Sequence, residues 1–177
     1  MGNAKQRKQA KILAILVVAL LMIAFNPIIR LGIGTLFRRD PIRFGLAEIS
    51  IPQDWMMSRA PTRVEVWKPC KTILCGSLPR PSFNIDLWKL PQGSDGVWLD
   101  AASKIISKNY SAEANSRTVD SSWGPWKCVE LDGLTQRGES VVACLNPDLG
   151  LTSTFVGEPT LKPVFYRVLT LARKISE

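Results

Sequence analysis

The chain has 177 residues, which is enough for one domain of ordinary size and a short additional segment. Hydrophobic residues make up 46% and charged residues 21%, so the composition excludes both a disordered chain and a collagen-like one. Because the sequence contains no histidine, it lacks the usual general base and the commonest ligand of metal ions. We therefore expect no catalytic residues, no metal site and no cofactor.

The net charge of +8 is concentrated near the N-terminus. Residues 1–45 contain eight basic residues and one acidic residue, whereas residues 46–177 contain 15 basic and 14 acidic residues. The larger part of the chain is therefore nearly neutral. This distribution argues against a basic face that binds nucleic acid.

Residues 12–29 predict a transmembrane anchor, preceded by a basic cytoplasmic segment at residues 1–11. The run from Ile12 to Phe25, ILAILVVALLMIAF, is apolar and uncharged. As a helix, residues 12–29 would extend about 27 Å, close to the roughly 30 Å of bilayer hydrocarbon. A cleaved signal peptide is the alternative, but no small-residue cleavage site follows the run.

Residues 30–45 predict a linker that lies along the membrane surface. Arginines alternate there with apolar residues, and Gly32 and Gly34 argue against a continuous helix. Guanidinium groups suit the headgroup region, where they meet lipid phosphates. We expect contacts with anionic lipid headgroups and neighbouring membrane subunits from Arg30, Phe37, Arg38, Arg39 and Arg43. A simple tether is the alternative.

Residues 46–177 predict an α+β domain, because runs of period two alternate with two helical patterns. One helix begins at Ser94 or Asp95 and ends near Tyr110, with Trp98, Ala102, Ile105 and Ile106 on one side. A closing helix starts at Pro163 and carries an apolar stripe to Ile175. Strands are predicted at residues 47–51, 62–68, 83–87, 117–119, 126–131, 139–146 and 151–156. Short turns favour antiparallel pairing, so we expect an antiparallel sheet of five to seven strands covered by two helices.

All four cysteines lie beyond the predicted anchor, at Cys70, Cys75, Cys128 and Cys144. An even number in a domain of this size predicts disulfide bonds and therefore an oxidising compartment. This places the domain in the periplasm and the anchor in the cytoplasmic (inner) membrane, with the N-terminus in the cytoplasm.

The positions of two cysteines also predict their pairing. Residue 136 is midway between Cys128 and Cys144 and falls in a turn region, so a hairpin centred there puts the two cysteines opposite each other. Cys70 would then pair with Cys75. The two other connectivities, a thiol redox centre and a zinc site are the alternatives.

Enzyme activity without histidine would need another base. Ser58 and Lys68 are the candidates for a Ser/Lys protease dyad, although the surrounding sequence lacks the order that such proteases require. We interpret Glu130, Asp132 and Glu139 as solvated acids rather than a catalytic carboxylate pair.

Six tryptophans lie at positions 55, 67, 88, 98, 123 and 126, and most of them are expected in the core. Trp123 and Trp126 flank Gly124-Pro125, a turn that would hold both rings near a sheet edge. Because protein interfaces favour tryptophan, these two residues are candidate partner-facing aromatics.

The opening ISIPQDW at residues 49–55, the long antiparallel body and the closing amphipathic helix resemble the PsbP-like domains. These domains are α+β modules that act as extrinsic accessory proteins, and the resemblance implies a non-catalytic accessory role. We expect a membrane-anchored accessory or assembly subunit of a larger membrane complex, with respiratory and photosynthetic complexes as candidates. The alternatives are a free-standing periplasmic binding module, a thiol oxidoreductase or a Ser/Lys protease.

Overall fold

The computed structural model describes residues 3–25, 40–68, 81–88, 91, 93–132 and 138–175. The helices in this part of the chain are α1 (Asn3–Phe25), α2 (Asp95–Tyr110) and α3 (Lys162–Leu171), and a 3₁₀ turn (Pro159–Leu161) precedes α3. The strands are β1 (Ile42–Phe44), β2 (Ala47–Ile49), β3 (Met56–Ala60), β4 (Arg63–Trp67), β5 (Phe83–Leu87), β6 (Asn115–Val119), β7 (Trp126–Leu131), β8 (Ser140–Asn146), β9 (Leu151–Gly157) and β10 (Arg173–Lys174).

The main body is a seven-stranded antiparallel sheet with the order β3-β4-β5-β9-β8-β7-β6. The predicted α+β class with an antiparallel sheet is therefore confirmed. Strand β3 was not predicted, because its sequence MMSRA does not alternate between apolar and polar residues. A second sheet, with the order β1-β2-β10, was also not predicted as a sheet.

Helices α2 and α3 pack on opposite faces of the main sheet. Val142 and Cys144 of β8 belong to the same core cluster as Phe165 of α3, whereas Val141 and Ala143 cluster with Ile106 of α2. Successive side chains of a strand point to opposite faces, so β8 contributes to both clusters. Each helix therefore closes its own hydrophobic core.

Helix α2 has the predicted bounds but not the full predicted face. Ile106 is buried, whereas Ile105 is 59% exposed, so the prediction that both face the sheet is wrong for Ile105. The helix ends at Tyr110 and is capped by Ser111, whose φ of 53° lies in the left-handed region. At its first turn, Asp95 accepts a hydrogen bond from Lys127 at 2.5 Å, which fastens α2 to β7.

The prediction that the closing helix continues to Ile175 is wrong. Helix α3 ends at Leu171, and the chain then becomes extended at Ala172. Strand β10 pairs with β2, and the backbone N–H of Ile175 donates to the carbonyl oxygen of Leu46 at 2.9 Å. These backbone hydrogen bonds satisfy one edge of β2, which a longer helix would leave unpaired.

The domain also begins earlier than residue 46. Strand β1 pairs with β2 through a two-residue turn in which Gly45 has a φ of 59°. Phe44 is buried in the main core together with Ile42. Residues 40–45, which the sequence assigned to the linker, therefore belong to the folded domain.

The predicted membrane segments fall only partly within the described residues. Among the helices of those residues, none has both the length and the apolar character needed to cross a membrane. The end of the predicted anchor at residues 26–29 lies outside the described residues, as do Arg30, Phe37, Arg38 and Arg39.

Candidate interaction surface

The disulfide between Cys128 and Cys144 joins strands β7 and β8 of the main sheet. The two residues are direct partners in the β7–β8 register, with their Cα atoms 4.0 Å apart, so the predicted pairing is confirmed. Both residues are buried, which keeps the bond away from attacking thiolates and indicates a structural role. Cys70 and Cys75 lie outside the described residues.

A cluster of charged residues, the Lys162 cluster, joins α3 to strands β6 and β7. It consists of Lys162, Glu130, Asp132, Arg117 and Tyr166. The Lys162 amine donates to Glu130 at 3.1 Å and to Asp132 at 2.6 Å, and Tyr166 also donates to Glu130. The Arg117 guanidinium lies 4.6 Å from the centre of the Tyr166 ring and 3.7 Å from Glu130.

The charges of this cluster balance one another. Hydrogen bonds from Lys162 and Ser140 lower the pKa of Asp132, so its carboxyl group is ionised at neutral pH. Burial raises the pKa of Tyr166, and the hydrogen bond to Glu130 raises it further, so the phenol stays protonated and remains a donor. The cluster therefore fastens α3 to the sheet.

The interpretation of Glu130 as a solvated acid is wrong. Its side chain is 14% exposed, and Lys162, Tyr166 and Arg117 surround it. The two α3 partners lie more than 30 residues along the chain from Glu130. In the sequence, Lys162 directly precedes the predicted closing helix and Tyr166 follows Lys162 by four residues, a spacing that would have placed both on one side of a helix beginning at Lys162.

The structure does not bring Ser58 and Lys68 together as a dyad. Ser58 is paired with Glu65 across the β3–β4 hairpin, and Lys68 is three residues beyond Glu65, which corresponds to about 10 Å along a strand. The Lys68 amine lies 3.2 Å from Glu158. Among the described residues, no group of three or more acidic or cysteine residues is placed to hold a metal ion.

A groove of about 440 Å³ lies between residues 50–55 and helix α3. Its apolar lining includes the buried ring of Trp55 and the half-exposed side chain of Leu171. Asp54 and Arg167 add charges of opposite sign. At one side, Asp40 accepts a hydrogen bond from the backbone N–H of Ile51 at 3.3 Å, which connects the start of the domain to the groove.

Next to the groove is a second hollow of about 380 Å³, which we call the basic face. It is lined by Arg43, Glu48, Trp123, Arg173, Lys174 and Ile175. Glu48 pairs with Arg43 at 3.4 Å and with Arg173 at 3.0 Å. Three basic residues and one carboxylate thus line this hollow, which gives these four residues a net charge of +2.

The exposed Trp123 of the basic face is held by a rigid turn. The side-chain amide of Asn146, which is fully buried, donates to the carbonyl oxygens of Trp123 and Gly124, both at 3.2 Å. The Ser121 hydroxyl also donates to Gly124 at 2.6 Å. Gly124 has a φ of 82°, and a Cβ atom there would lie 1.9 Å from a carboxylate oxygen of Asp148. The turn therefore requires glycine at this position.

The two candidate partner-facing tryptophans have different environments. Trp123 is 45% exposed, and its contact with a partner stays a prediction. Trp126 is fully buried, and its indole N–H donates to the carbonyl oxygen of Leu169 at 3.0 Å. The prediction that Trp126 faces a partner is therefore wrong, because Trp126 lies on the core face of β7 beneath α3.

The groove and the basic face occupy the same end of the domain. Asp40 and Leu171 line the groove, and Arg43 and Arg173, only a few residues further along each segment, line the basic face. Sequence analysis identified Arg43 but missed Arg173 and Lys174, because the predicted helix continued through them. The groove and the basic face together form the candidate interaction surface.

Comparison of the sequence with protein-family models gave no match, and comparison with curated proteins gave none either.

Proposed function

We propose that the protein is a membrane-anchored, non-catalytic accessory or assembly subunit of a larger membrane protein complex. The observation that carries this proposal is the position of the groove and the basic face. Both lie where the domain begins, at residues 40–43, and this is the side on which the chain arrives from the predicted anchor. A domain tethered there holds both surfaces close to the membrane, where the groove can meet a neighbouring subunit.

The anchor in this proposal comprises residues 12–29. The large apolar side chains between Ile12 and Leu21 are 47–68% exposed, so this part of α1 is not covered by described residues. An apolar helix without a polar face is typical of a segment surrounded by lipid or by other membrane helices. With the disulfide at Cys128 and Cys144, this supports an anchor in the cytoplasmic membrane and a domain in the periplasm.

The groove is the proposed contact with a partner subunit. Trp55 and Leu171 supply apolar surface, and Arg167 and Asp54 supply charges of both signs at its sides. Protein interfaces combine an apolar centre with a polar rim in this way, and they favour tryptophan and arginine.

The test is purification of the tagged full chain from its native membranes in mild detergent, with identification of the subunits that co-purify. A Leu171→Lys variant changes the groove at a half-exposed side chain, and Val97→Lys on α2 is the matched control at an exposed position. We expect defined membrane subunits with the wild type and with Val97→Lys, and at least a tenfold lower yield with Leu171→Lys. Absence of a defined partner, or equal yields from all three chains, would contradict the proposal.

A free-standing binding module is the second candidate, because the groove volume of about 440 Å³ is also that of a small-molecule site. This alternative predicts that the full chain, purified without other subunits, retains a stoichiometric small molecule in native mass spectrometry. Loss of that molecule from Leu171→Lys, with no protein partner found, would favour this alternative over the subunit.

A further inference from the structure

We propose that the basic face lies against the bilayer and binds the phosphates of anionic lipids, so that the β1-β2-β10 sheet rests on the membrane surface. This inference depends on the anchor in the proposed function. It adds the orientation of the domain: the basic face contacts the membrane surface, and the neighbouring groove is held close to the lipid headgroups.

The charge of the basic face fits an anionic surface. Arg43 and Arg173 are 73% and 60% exposed at their side chains and share one carboxylate, Glu48. Lys174 follows Arg173 in β10, is exposed and also lines the hollow. The net charge of +2 contrasts with the near neutrality of residues 46–177 as a whole. Arginine binds phosphate through two parallel hydrogen bonds, and lysine adds a point charge.

The apolar residues around these cations are those expected at a membrane interface. Trp123 is 45% exposed and Leu46, at the tip of the β1–β2 turn, is 59% exposed. Leu46 adjoins the basic face through its hydrogen bond with Ile175. Tryptophan rings prefer the headgroup level of a bilayer, where one edge is apolar and the other is wet. Because the turn around Gly124 is rigid, Trp123 would lose little conformational freedom on contact.

The position of β1 keeps this surface near the lipid. The strand begins at residue 42, and the predicted anchor ends at residue 29, so the connecting chain spans at most about 45 Å. Each basic residue near an anionic surface shifts the bound population by about fivefold, so a net charge of +2 gives roughly thirtyfold. A tether makes such a weak contact sufficient, because the domain cannot diffuse away.

The test uses the full chain reconstituted into vesicles, with a photo-crosslinking phenylalanine analogue at position 46. Position 97 on α2, where Val97 is 73% exposed, is the matched control. The vesicles contain either phosphatidylcholine alone or phosphatidylcholine with one third phosphatidylglycerol. We expect position 46 to crosslink to lipid at least tenfold more in the anionic vesicles, and position 97 to crosslink little in both.

The second arm combines Arg43→Gln, Arg173→Gln and Lys174→Gln, which removes three positive charges from exposed side chains and keeps amide donors for Glu48. This variant should fold with an unchanged circular dichroism spectrum and should lose the anionic enhancement at position 46. Equal crosslinking in both vesicle types, or in the triple variant, would overturn the lipid contact. Crosslinking of position 46 to a protein subunit in native membranes would also overturn it.

Extraction with alkaline carbonate separates this inference from the proposed function. If the chain remains in the membrane and position 46 does not reach lipid, the lipid contact is wrong and the anchor stands. If carbonate releases the chain, the anchor itself is wrong, and the inference falls with it.

Discussion

Lys162 joins α3 to the main sheet through two carboxylates. Glu130 lies on β7, and Asp132 directly follows that strand. Its side chain is 13% exposed, and that of Glu130 is 14% exposed, so this pair is shielded from water. Asp132 is 56% exposed, so water screens its ion pair with Lys162 and reduces the contribution of that pair to stability.

The variant Lys162→Met should reduce the free energy of unfolding by about 2–3 kcal/mol, because it removes the amine that donates to both Glu130 and Asp132. The matched control is Lys104→Met, since Lys104 pairs with Asp100 on the exposed side of α2, with side-chain exposures of 75% and 63%. That change should have almost no effect. Urea unfolding of both variants measures the difference, and equal losses would contradict the role of Lys162.

The pH dependence of the free energy of unfolding should show how much the ionised Asp132 carboxylate contributes to stability. Its pKa in the folded protein is lowered by hydrogen bonds from Lys162 and Ser140, whereas in the unfolded chain it returns to about 3.9. The stabilisation is therefore present above about pH 4 and is lost as the pH falls through the folded-state pKa. Asp132→Asn should be less stable than the wild type at pH 7, and the gap should close below pH 4.

Urea unfolding of wild type and Asp132→Asn at pH 7, 5 and 3 tests this expectation. Asp100→Asn on the exposed side of α2 serves as the control and should follow the wild type at every pH. A gap at pH 3 as large as that at pH 7 would show that the hydrogen-bonded carboxylate does not contribute.

The contacts of individual residues could be predicted where they depend on spacing within a short stretch of sequence. The Cys128–Cys144 pair follows from hairpin symmetry, which the register confirms. Glu130 and Trp126 were misjudged because their partners, Lys162 and Leu169, lie on a helix that is distant in sequence. A strand pattern alone does not indicate which helix will cover it.

At the scale of elements, most strands of the main sheet and α2 were predictable from periodicity, whereas β3, the C-terminal end of α3 and the β1-β2-β10 sheet were not. The apolar positions after Leu171 fit a helix equally well, and only the free edge of β2 favours the extended conformation of β10. Strand β1 has three residues, too few for a periodic signal. Short strands of this kind form because a tertiary edge is available to them.

The disulfide across β7 and β8 should contribute substantially to stability. A loop of this length corresponds to roughly 3 kcal/mol in the chain-entropy model. The double variant Cys128→Ala/Cys144→Ala should therefore unfold at a lower urea concentration than the oxidised wild type, and a reducing agent should remove most of that difference. Peptide mapping without reduction should recover the linked pair. A link between Cys70 and Cys128 would contradict the register.

At the scale of the whole molecule, the start of the folded domain determines where the chain can be shortened. A chain beginning at Asp40 should fold, because it retains β1. A chain beginning at Leu46, which the sequence alone predicted to be sufficient, deletes the buried side chains of Ile42 and Phe44. Since large core side chains contribute about 2–5 kcal/mol each, it should be largely unfolded.

Circular dichroism and thermal unfolding of the two shortened chains test this boundary. A third chain, with Phe44→Ala in the form beginning at Asp40, should lie between them. Equal melting temperatures for the chains beginning at Asp40 and Leu46 would show that β1 does not belong to the cooperative unit.

The proposed orientation in the membrane gives a prediction for the C-terminus. A reporter that is active only in the periplasm, fused after Glu177, should be active in cells, because the disulfide requires an oxidising compartment. A reporter that is active only in the cytoplasm serves as the control and should be silent. The opposite pattern would reverse the topology of the proposed anchor.

The small β1-β2-β10 sheet also sets an order of events during biosynthesis. The ion pair between Arg173 and Glu48 joins residues 125 positions apart, so the third strand of this sheet is made long after the first two. Chains fold from the N-terminus as they emerge, and this sheet is therefore completed only after β10 has been synthesised. A chain interrupted before residue 173 leaves β2 with one unpaired edge. The surface proposed to meet the membrane is thus present only once β10 has been added to β2.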